Sequence, residues 1–505
     1  MNANQKKMTG TFRKQILALG VACSPLCQAF QVTHVFRQTQ RNNKYQPFSS
    51  SSSSSLNLSS SEKISPNADM KSESNANHNH SPLSMNLDEL TTSLNGKGKA
   101  QAAWDCLRVG VDPLLFHNPS YPQQQLDNAL SLADGNISAR TSTSTSKITS
   151  TTQTQITTRE QIQQHLPARR QTQMLGGKAL EALSRNYPSS LGIEPSLATL
   201  DQITRSNDGT TKLLLKLTNT NFFIETVIIP HPEWNKSTLC ISSQVGCAQG
   251  CVFCATGKMG ELGNLTSDQI LIQLYYANKV CRVTEDLPPI DGIVFMGMGD
   301  ASRNVAAVRK AVDVMTDRSC FALAPSKITI STVGPNPGVF AELAEADAVL
   351  AWSVHAVRDD LRKRLVPTTK YSMKELGDGL VQALTTRSKR LKSLMLEVTL
   401  MDGINDGAKE AEEMAAYALD LKSKVPGMKL IINLIPFNDI GYEMYRRASA
   451  ENVAQFQKIL VESGINTYVR TTRGDDESAA CGQLATNKRK RSISRSDSDG
   501  AAVTP

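Results

Sequence analysis

The chain has 505 residues, with 55 Lys and Arg against 47 Asp and Glu, so its formal net charge is +8. This length allows two or three domains, and a chain of this size builds its core without disulfide bonds. No run reaches the roughly 18 uninterrupted apolar residues of a membrane-spanning helix, so no membrane association is expected. The positive charge favours a polyanionic partner only weakly, because much of the excess lies in the two tails.

Residues 1–84 have the composition of a targeting leader rather than a domain. Basic residues precede a short apolar run at 16–23, small residues follow at 27–29, and an acid-free, Ser-rich stretch occupies 31–61. A signal followed by a transit-like segment resembles the bipartite plastid leaders of algae with complex plastids. We therefore expect an organelle, plastid before mitochondrion. An unprocessed disordered tail is the alternative, and the basic run at 488–491 leaves a nuclear or cytoplasmic location open.

Residues 85–235 are predicted to form a small accessory domain of helices and strands. An Asn cap and an acidic first turn begin a helix at 86–90, and helical spacing continues at 101–107. Residues 118–164, rich in Pro, Gln, Ser and Thr, are predicted to be a disordered low-complexity insertion. Two strands are expected within 211–229.

From residue 236 to 485, apolar β-branched runs alternate with amphipathic helical runs. Strands are predicted at 238–242, 292–296, 327–331, 349–355, 394–400, 429–435 and 467–471. Helices are predicted at 267–280, 305–316, 373–385 and 408–422. This alternation predicts an α/β fold with a parallel sheet, and it fits an open sheet and a partial barrel equally well. Residues 486–505 are predicted to be a disordered basic tail.

The cysteines carry the strongest chemical signal. Cys247, Cys251 and Cys254 lie within eight residues, whereas Cys240 and Cys481 are outliers. One loop can thus offer three thiolates to a soft metal centre, one ligand short of a closed tetrahedral site. A [4Fe–4S] cluster held in this way keeps one iron open. Structural zinc is the alternative, but the nearest histidine has no partner at zinc-ligand spacing.

CxxxCxxC is the cluster motif of radical S-adenosylmethionine (SAM) enzymes, and longer blocks resemble the RlmN/Cfr family of RNA adenine methyltransferases. These blocks are LCISSQVGC at 239–247, NLIPFN at 433–438, VRTTRGDD at 469–476 and ACGQ at 480–483. The resemblance covers roughly residues 85–117 and 165–485. It implies a partial (βα)6 radical SAM barrel at 236–485 and an accessory domain that engages RNA.

The resemblance also implies which residues contact SAM, and all follow predicted strands, where parallel α/β folds place their sites. They are Gly299, Asp300, Ser331, Ser353, Val354, His355 and Asn438. Gly299 and Asp300 would receive the SAM amino group, and Ser331, Ser353, His355 and Asn438 would line its ribose and adenine. The family usually has Gly-Glu-Pro where this chain has Gly299-Asp300-Ala301. The shorter acid and the lost Pro predict altered SAM affinity or a bridging water.

The implied reaction uses two SAM molecules per turnover and an external electron donor, such as a reductase, ferredoxin or flavodoxin. One SAM methylates Cys481, and the 5′-deoxyadenosyl radical from the second takes a hydrogen atom from that methyl group. The methylene radical adds to adenine, and Cys240 then attacks Cys481, forming a disulfide and releasing the methylated base. Glu225 matches the family's proton acceptor. Nearby charges at 473, 475 and 476 either order the Cys481 loop or are simply solvated.

The expected function is methylation of carbon 2 of adenosine by a monomeric enzyme. Its substrates would be large-subunit rRNA near the peptidyl-transferase centre and tRNA beside the anticodon. The sister activity at carbon 8 is an alternative. A non-catalytic iron–sulfur protein that binds RNA is another, although such a protein needs neither Cys240 nor Cys481.

Overall fold

The computed structural model describes residues 81–117, 164–167, 175–187, 192–284, 286–441 and 444–485. The predicted leader up to residue 80, the insertion from 118 to 163 and the tail after 485 lie outside these ranges. The helices within the ranges lack the combination of length and apolarity that crossing a bilayer requires.

Within the described ranges, five helices precede the first strand. They are α1 Leu87–Leu94, α2 Lys97–Leu107, α3 Pro113–His117, α4 Gly177–Asn186 and α5 Ile193–Leu197. The start of α1 is a capping box: the Glu89 amide donates to the Asn86 side chain at 2.8 Å, and the Asn86 amide donates to the Glu89 carboxylate at 2.7 Å. These local hydrogen bonds explain why the beginning of this helix is readable in the sequence.

Twelve strands are present in the described ranges. They are β1 Ala198–Arg205, β2 Thr211–Leu217, β3 Phe223–His231, β4 Lys236–Cys240, β5 Gln244–Cys247, β6 Gly260–Asn264, β7 Ile290–Phe295, β8 Ile328–Thr332, β9 Val349–Ser353, β10 Ser393–Leu400, β11 Lys429–Pro436 and β12 Asn466–Val469. Ten of them form one sheet in chain order, and β5 and β6 form a separate hairpin. Pairing is antiparallel from β1 to β4 and parallel from β4 to β12.

The parallel strands are joined by helices, as a βα architecture requires. These helices are α6 Ala255–Met259, α7 Ser267–Val283, α8 Val305–Thr316, α9 Gly338–Ala344, α10 Asp359–Leu365, α11 Met373–Thr385, α12 Ala408–Lys424 and α13 Ala450–Glu462. The bounds of α8 and α11 are the predicted ones. Helix α8 buries Val308, Ala311, Val312 and Met315. These residues recur at helical spacing and lie on one face, which is the pattern that predicted the helix. The predicted α/β fold is confirmed, and β1 and β12 are the edges of an open sheet.

The sequence did not predict β1, nor the β5–β6 hairpin. Both hairpin strands are short and glycine-containing, so they carry little periodic signal, and only their mutual pairing defines them. The sheet also runs without a break from β3 into β4, with Ile229 opposite Thr238. The proposed boundary between accessory and catalytic domains at 235/236 therefore falls inside a continuous sheet, and the domain division stays a prediction.

Candidate active site

The three clustered cysteines lie on one loop at the carboxyl end of the sheet. Cys247 ends β5, and Cys254 immediately precedes α6. Helix α10 anchors this loop: the Val252 amide donates to the carbonyl of Leu365, the last residue of the helix, at 3.1 Å. The Thr368 hydroxyl contributes a second anchor by donating to the Gln249 side chain at 2.7 Å.

Each of the three cysteines is a free thiol. Burial, with Asp300 nearby, raises the pKa of Cys247 to about 12. Burial and the two neighbouring thiols raise the pKa of Cys251. The described ranges contain no group of three or more His, Cys, Asp or Glu side chains around a single metal ion. The three thiols on one loop would be the ligands of the predicted cluster, and ligation would offset the cost of burying them as thiolates.

The Cys481 loop packs directly on the cysteine loop. The Ala255 amide donates to the Gly482 carbonyl at 2.7 Å, and the Thr256 hydroxyl donates to the Leu484 carbonyl at 2.5 Å. From the loop after β11, the Asn438 side-chain amide donates to the Cys481 carbonyl at 3.0 Å. Hydrogen bonds between residues more than 220 positions apart in sequence thus hold Cys481 beside the predicted cluster site.

Two acidic residues order the Cys481 loop rather than being merely solvated. Asp476 accepts hydrogen bonds from the Ser206 hydroxyl and, at 3.0 Å, from the amide of residue 207. Asp475 accepts from the Gln483 side chain at 2.6 Å. Asp208, in the turn before β2, accepts a hydrogen bond from the Gly474 amide at 3.1 Å. The turn before β2 therefore holds this loop in place.

Cys240 lies buried at the carboxyl end of β4, within electrostatic range of Cys481. Burial, and then Cys481, raises the pKa of Cys240 to about 12. Burial also raises the pKa of Cys481. In both cases the Arg470 guanidinium acts in the opposite direction and favours the thiolate. The two outlying cysteines and one arginine thus form a group inside the barrel.

Glu397 on β10 belongs to the same interior and was missed in the sequence. It is 3% exposed, and its Oε1 atom has no hydrogen-bond partner among the described residues. Burial raises its pKa, whereas Arg470 acts to lower it. The available signal was a single acid in an otherwise apolar strand, because such strands are normally buried on both faces.

Glu225 on β3 is 3% exposed and lies beside Lys212, with 3.5 Å between Oε1 and Nζ. Burial raises the pKa of Glu225 to about 7, although Lys212 acts to lower it. The same ammonium donates to the carbonyls of Glu477 and Ser478 at 3.0 Å each. Lys212 therefore connects the predicted proton acceptor to the Cys481 loop.

The predicted SAM contacts share the rim of the sheet. The Ser331 and Ser353 hydroxyls are 3.2 Å apart. Gly299 has φ +95°, and a Cβ there would lie 2.5 Å from the Gln244 Cβ, so only glycine fits. Asp300 accepts three hydrogen bonds, from the Ser302 amide, the Thr332 hydroxyl and the Val333 amide, at 2.8 to 2.9 Å. Asp300 thus ties β7 to β8, and its contact with SAM stays a prediction.

His355 lies between the rim and the cysteine loop. Its Nδ1 accepts from the Thr399 amide at 3.2 Å, and its ring centroid is 4.5 Å from that of Phe253. Burial lowers the pKa of His355 to about 3, so the ring is neutral. With Nδ1 accepting, the proton of the neutral ring is on Nε2. Val354, the last of the predicted SAM contacts, is fully buried next to it.

Comparison with known proteins identifies the family. The chain is 37% identical over 305 residues to the dual-specificity RNA methyltransferase RlmN of Lawsonia intracellularis, covering 59% of this chain and 81% of that protein. The chain belongs to the RlmN/Cfr family. A radical SAM methyltransferase from Sphaerobacter thermophilus has a similar structure, with a TM-score of 0.59 and 27% identity over 80% of this chain and 99% of its own. No family model matches the chain.

Membership in the RlmN/Cfr family makes the chain a radical SAM methyltransferase and implies a [4Fe–4S] cluster and SAM as its cofactors. The residues present fit both groups. Three thiols on one loop would supply the cluster ligands, and the adjacent rim offers hydroxyl, amide and backbone groups for SAM. The predicted partial barrel is that of the structural relative.

Alanine should be tolerated at Gly250, in the loop between β5 and β6, but not at Gly246, in β5. A Cβ at Gly246 would lie 1.9 Å from the Gly260 carbonyl oxygen, whereas nothing lies within 4 Å of a Cβ at Gly250. Both have positive φ, +73° and +60°. We expect Gly246→Ala to open the hairpin and lose most of its iron after anaerobic reconstitution. Gly250→Ala, which has the backbone strain without the clash, should keep its iron; equal losses would contradict this explanation.

Proposed function

We propose that this enzyme methylates carbon 2 of adenosine in large-subunit rRNA near the peptidyl-transferase centre and in tRNA beside the anticodon. Methylation would proceed through an S-methylated Cys481. The observation that carries the proposal is the position of the Cys481 loop. It packs on the cluster loop on one side and is tied to Lys212 and Glu225 on the other. The RlmN relative is a dual-specificity RNA methyltransferase.

The protein's own groups suit the proposed thiol chemistry. When bound, the cluster and SAM supply the methyl group and the radical that activates it. Cys481 accepts the methyl group on sulfur, a step that needs the thiolate and is favoured by Arg470. Cys240 later attacks the Cys481 sulfur as a thiolate. A disulfide forms, and the electron pair of the broken sulfur–carbon bond passes to the base-linked carbon, which takes up a proton to become the methyl group. Arg470 also favours the Cys240 thiolate. Both cysteines are free thiols in the structure.

Glu225 is suited to accept a proton because burial keeps its pKa near neutrality. A carboxyl group with a pKa of about 7 is a stronger base than an exposed one and is still ionised in part at physiological pH. Its Oε2 atom is buried, and the geometry gives it no hydrogen-bond partner among the described residues. The adenine base would reach this site splayed out of its stack.

Three further proposals concern partners and location. The enzyme acts as a monomer on RNA, and an external reductase, ferredoxin or flavodoxin delivers its electrons. Its location is an organelle, plastid before mitochondrion. Fusing residues 1–84 to a fluorescent protein tests this last point, and a signal confined to the cytoplasm would reject it.

Digestion of target RNA and mass spectrometry of the nucleosides tests the proposed function. RNA incubated with reconstituted enzyme, SAM and a reductant should yield 2-methyladenosine, which is absent without enzyme. 8-Methyladenosine would assign the sister activity instead. Absence of both products from an enzyme with a full cluster would favour the non-catalytic alternative.

The Glu225 proposal makes a prediction about pH. A base acts only when deprotonated, so the single-turnover rate should rise with pH through about 7 and then level off. Lys212→Met removes the positive charge that lowers this pKa, so the inflection should move upward by about one pH unit or more. Lys212→Arg keeps the charge and should leave the inflection near its original position. An unchanged profile in Lys212→Met would show that Glu225 is not the group being titrated.

A further inference from the structure

A buried arginine beside the cluster loop has no role in the reaction described above. Arg362, on α10, is 1% exposed. Its guanidinium donates to the carbonyls of Val333, Ser353 and Val354, which follow or end β8 and β9. None of the ion pairs among the described residues includes it.

Burying a guanidinium without a carboxylate partner costs free energy. The carbonyl groups replace the hydrogen bonds of its hydration shell, but they do not neutralise its charge. Burial lowers the pKa of Arg362 only to about 10, so the group is charged at neutral pH. Asp300 and Asp359 lie within electrostatic range, but neither pairs with it directly. The Trp352 ring, with its centroid 5.5 Å from the guanidinium carbon, offers only a partial negative charge.

The missing countercharge lies on the cluster loop. Cys251 packs in one apolar group with Val333, Leu361 and Leu365, so α10 covers the loop directly. The Arg362 guanidinium and the Cys251 thiol are within electrostatic range of each other. A cluster held by three thiolates would make this region anionic, and both Cys251 and Arg362 are buried.

We infer that Arg362 is the fixed countercharge of the iron–sulfur cluster and raises its reduction potential. In the step concerned, the external one-electron donor is oxidised and the cluster gains one electron, with no bond made or broken. The added negative charge is stabilised by the nearby guanidinium, so reduction becomes easier. Arg362 acts through the cluster and contacts neither substrate nor reacting atoms; it is a positioning residue.

Arg387 provides a matched control. It is also buried, at 9% exposure, and donates to the carbonyls of Ala346, Ala348 and Leu391. Burial lowers its pKa to about 10 as well. These carbonyls precede β9 and β10, so Arg387 lies at the end of the sheet away from the cysteine loop. The two arginines share the same kind of burial and bonding and differ in their distance from the cluster.

The test is a redox titration of the reconstituted protein with dithionite, followed by electron paramagnetic resonance without SAM or RNA. Arg362→Gln should lower the ratio of reduced to oxidised cluster about tenfold at a fixed potential, a downward shift of about 59 mV for one electron. Arg362→Lys keeps the charge and should stay close to the original protein. Arg387→Gln should lose thermal stability but keep its potential.

An unchanged potential in Arg362→Gln, or an equal shift in Arg387→Gln, would show that Arg362 only ties β8 to β9. If Arg362→Gln cannot hold a cluster, Arg362→His gives a second neutral side chain that can donate to a carbonyl. Failure of both neutral variants, with cluster retained in Arg362→Lys and Arg387→Gln, would still support a requirement for the charge. Failure of Arg362→Lys as well would overturn the inference. None of these outcomes depends on which RNA carbon is methylated.

Discussion

Replacing Cys481 by alanine should abolish both methylated product and any covalent protein–RNA species, a loss of more than about a thousandfold in product. The physical reason is that, in the proposed mechanism, the Cys481 sulfur carries the methyl group between SAM and the base. Cys240→Ala should behave differently, because Cys481 can still be methylated and can still attack the base. The protein then lacks the thiol that breaks the link, so the adduct accumulates. A denaturing gel should show it as a shifted, nuclease-sensitive band.

Removal of the Cys481 sulfur should leave the loop that carries it in place. Cys481 lies on a loop held by contacts to residues 255, 256 and 438, none of which uses its sulfur atom. Truncation should therefore leave the loop and the cluster intact, with unchanged iron content. Cys281→Ala, on the outer helix α7, is the control and should retain full activity. The same phenotype in Cys240→Ala and Cys481→Ala, without an adduct, would reject the two-cysteine mechanism but not the cluster.

Removing any one of the three loop cysteines should eliminate the cluster and methylation together. The original protein should be brown and oxygen-sensitive, with about four iron and four sulfide per chain after anaerobic reconstitution. Cys247→Ala, Cys251→Ala and Cys254→Ala each leave two ligands, so the iron content should fall close to zero.

Iron and sulfide analysis with visible absorption spectra measures this effect. Cys481→Ala is the matched control, since it should be inactive but fully loaded. A colourless protein loaded with zinc under the same conditions would reject the cluster, and so would iron retained in all three variants. The two sets of variants separate the groups that hold the cofactor from those that handle the methyl group.

The sequence by itself determined the alternation of strands and helices, the cluster loop and the family. Those features depend on short-range patterns. Helix α8 shows its apolar face within twelve residues, and the capping boxes at α1 and α11 span four residues each. The cysteine triplet is also local, because its ligands lie on one loop. The RlmN/Cfr blocks then placed Cys240, Cys481 and Glu225 in one site without any distance being known.

Only the tertiary structure decided how these parts meet. The continuity of β3 with β4, the docking of the Cys481 loop and the bridge made by Lys212 depend on hydrogen bonds between residues far apart in sequence. The environments of Arg362 and Glu397 likewise come from burial on several elements at once. A charged side chain in a sequence is usually a solvated one. Its chemistry changes only when folding removes the water around it, and that depends on every element packed against it.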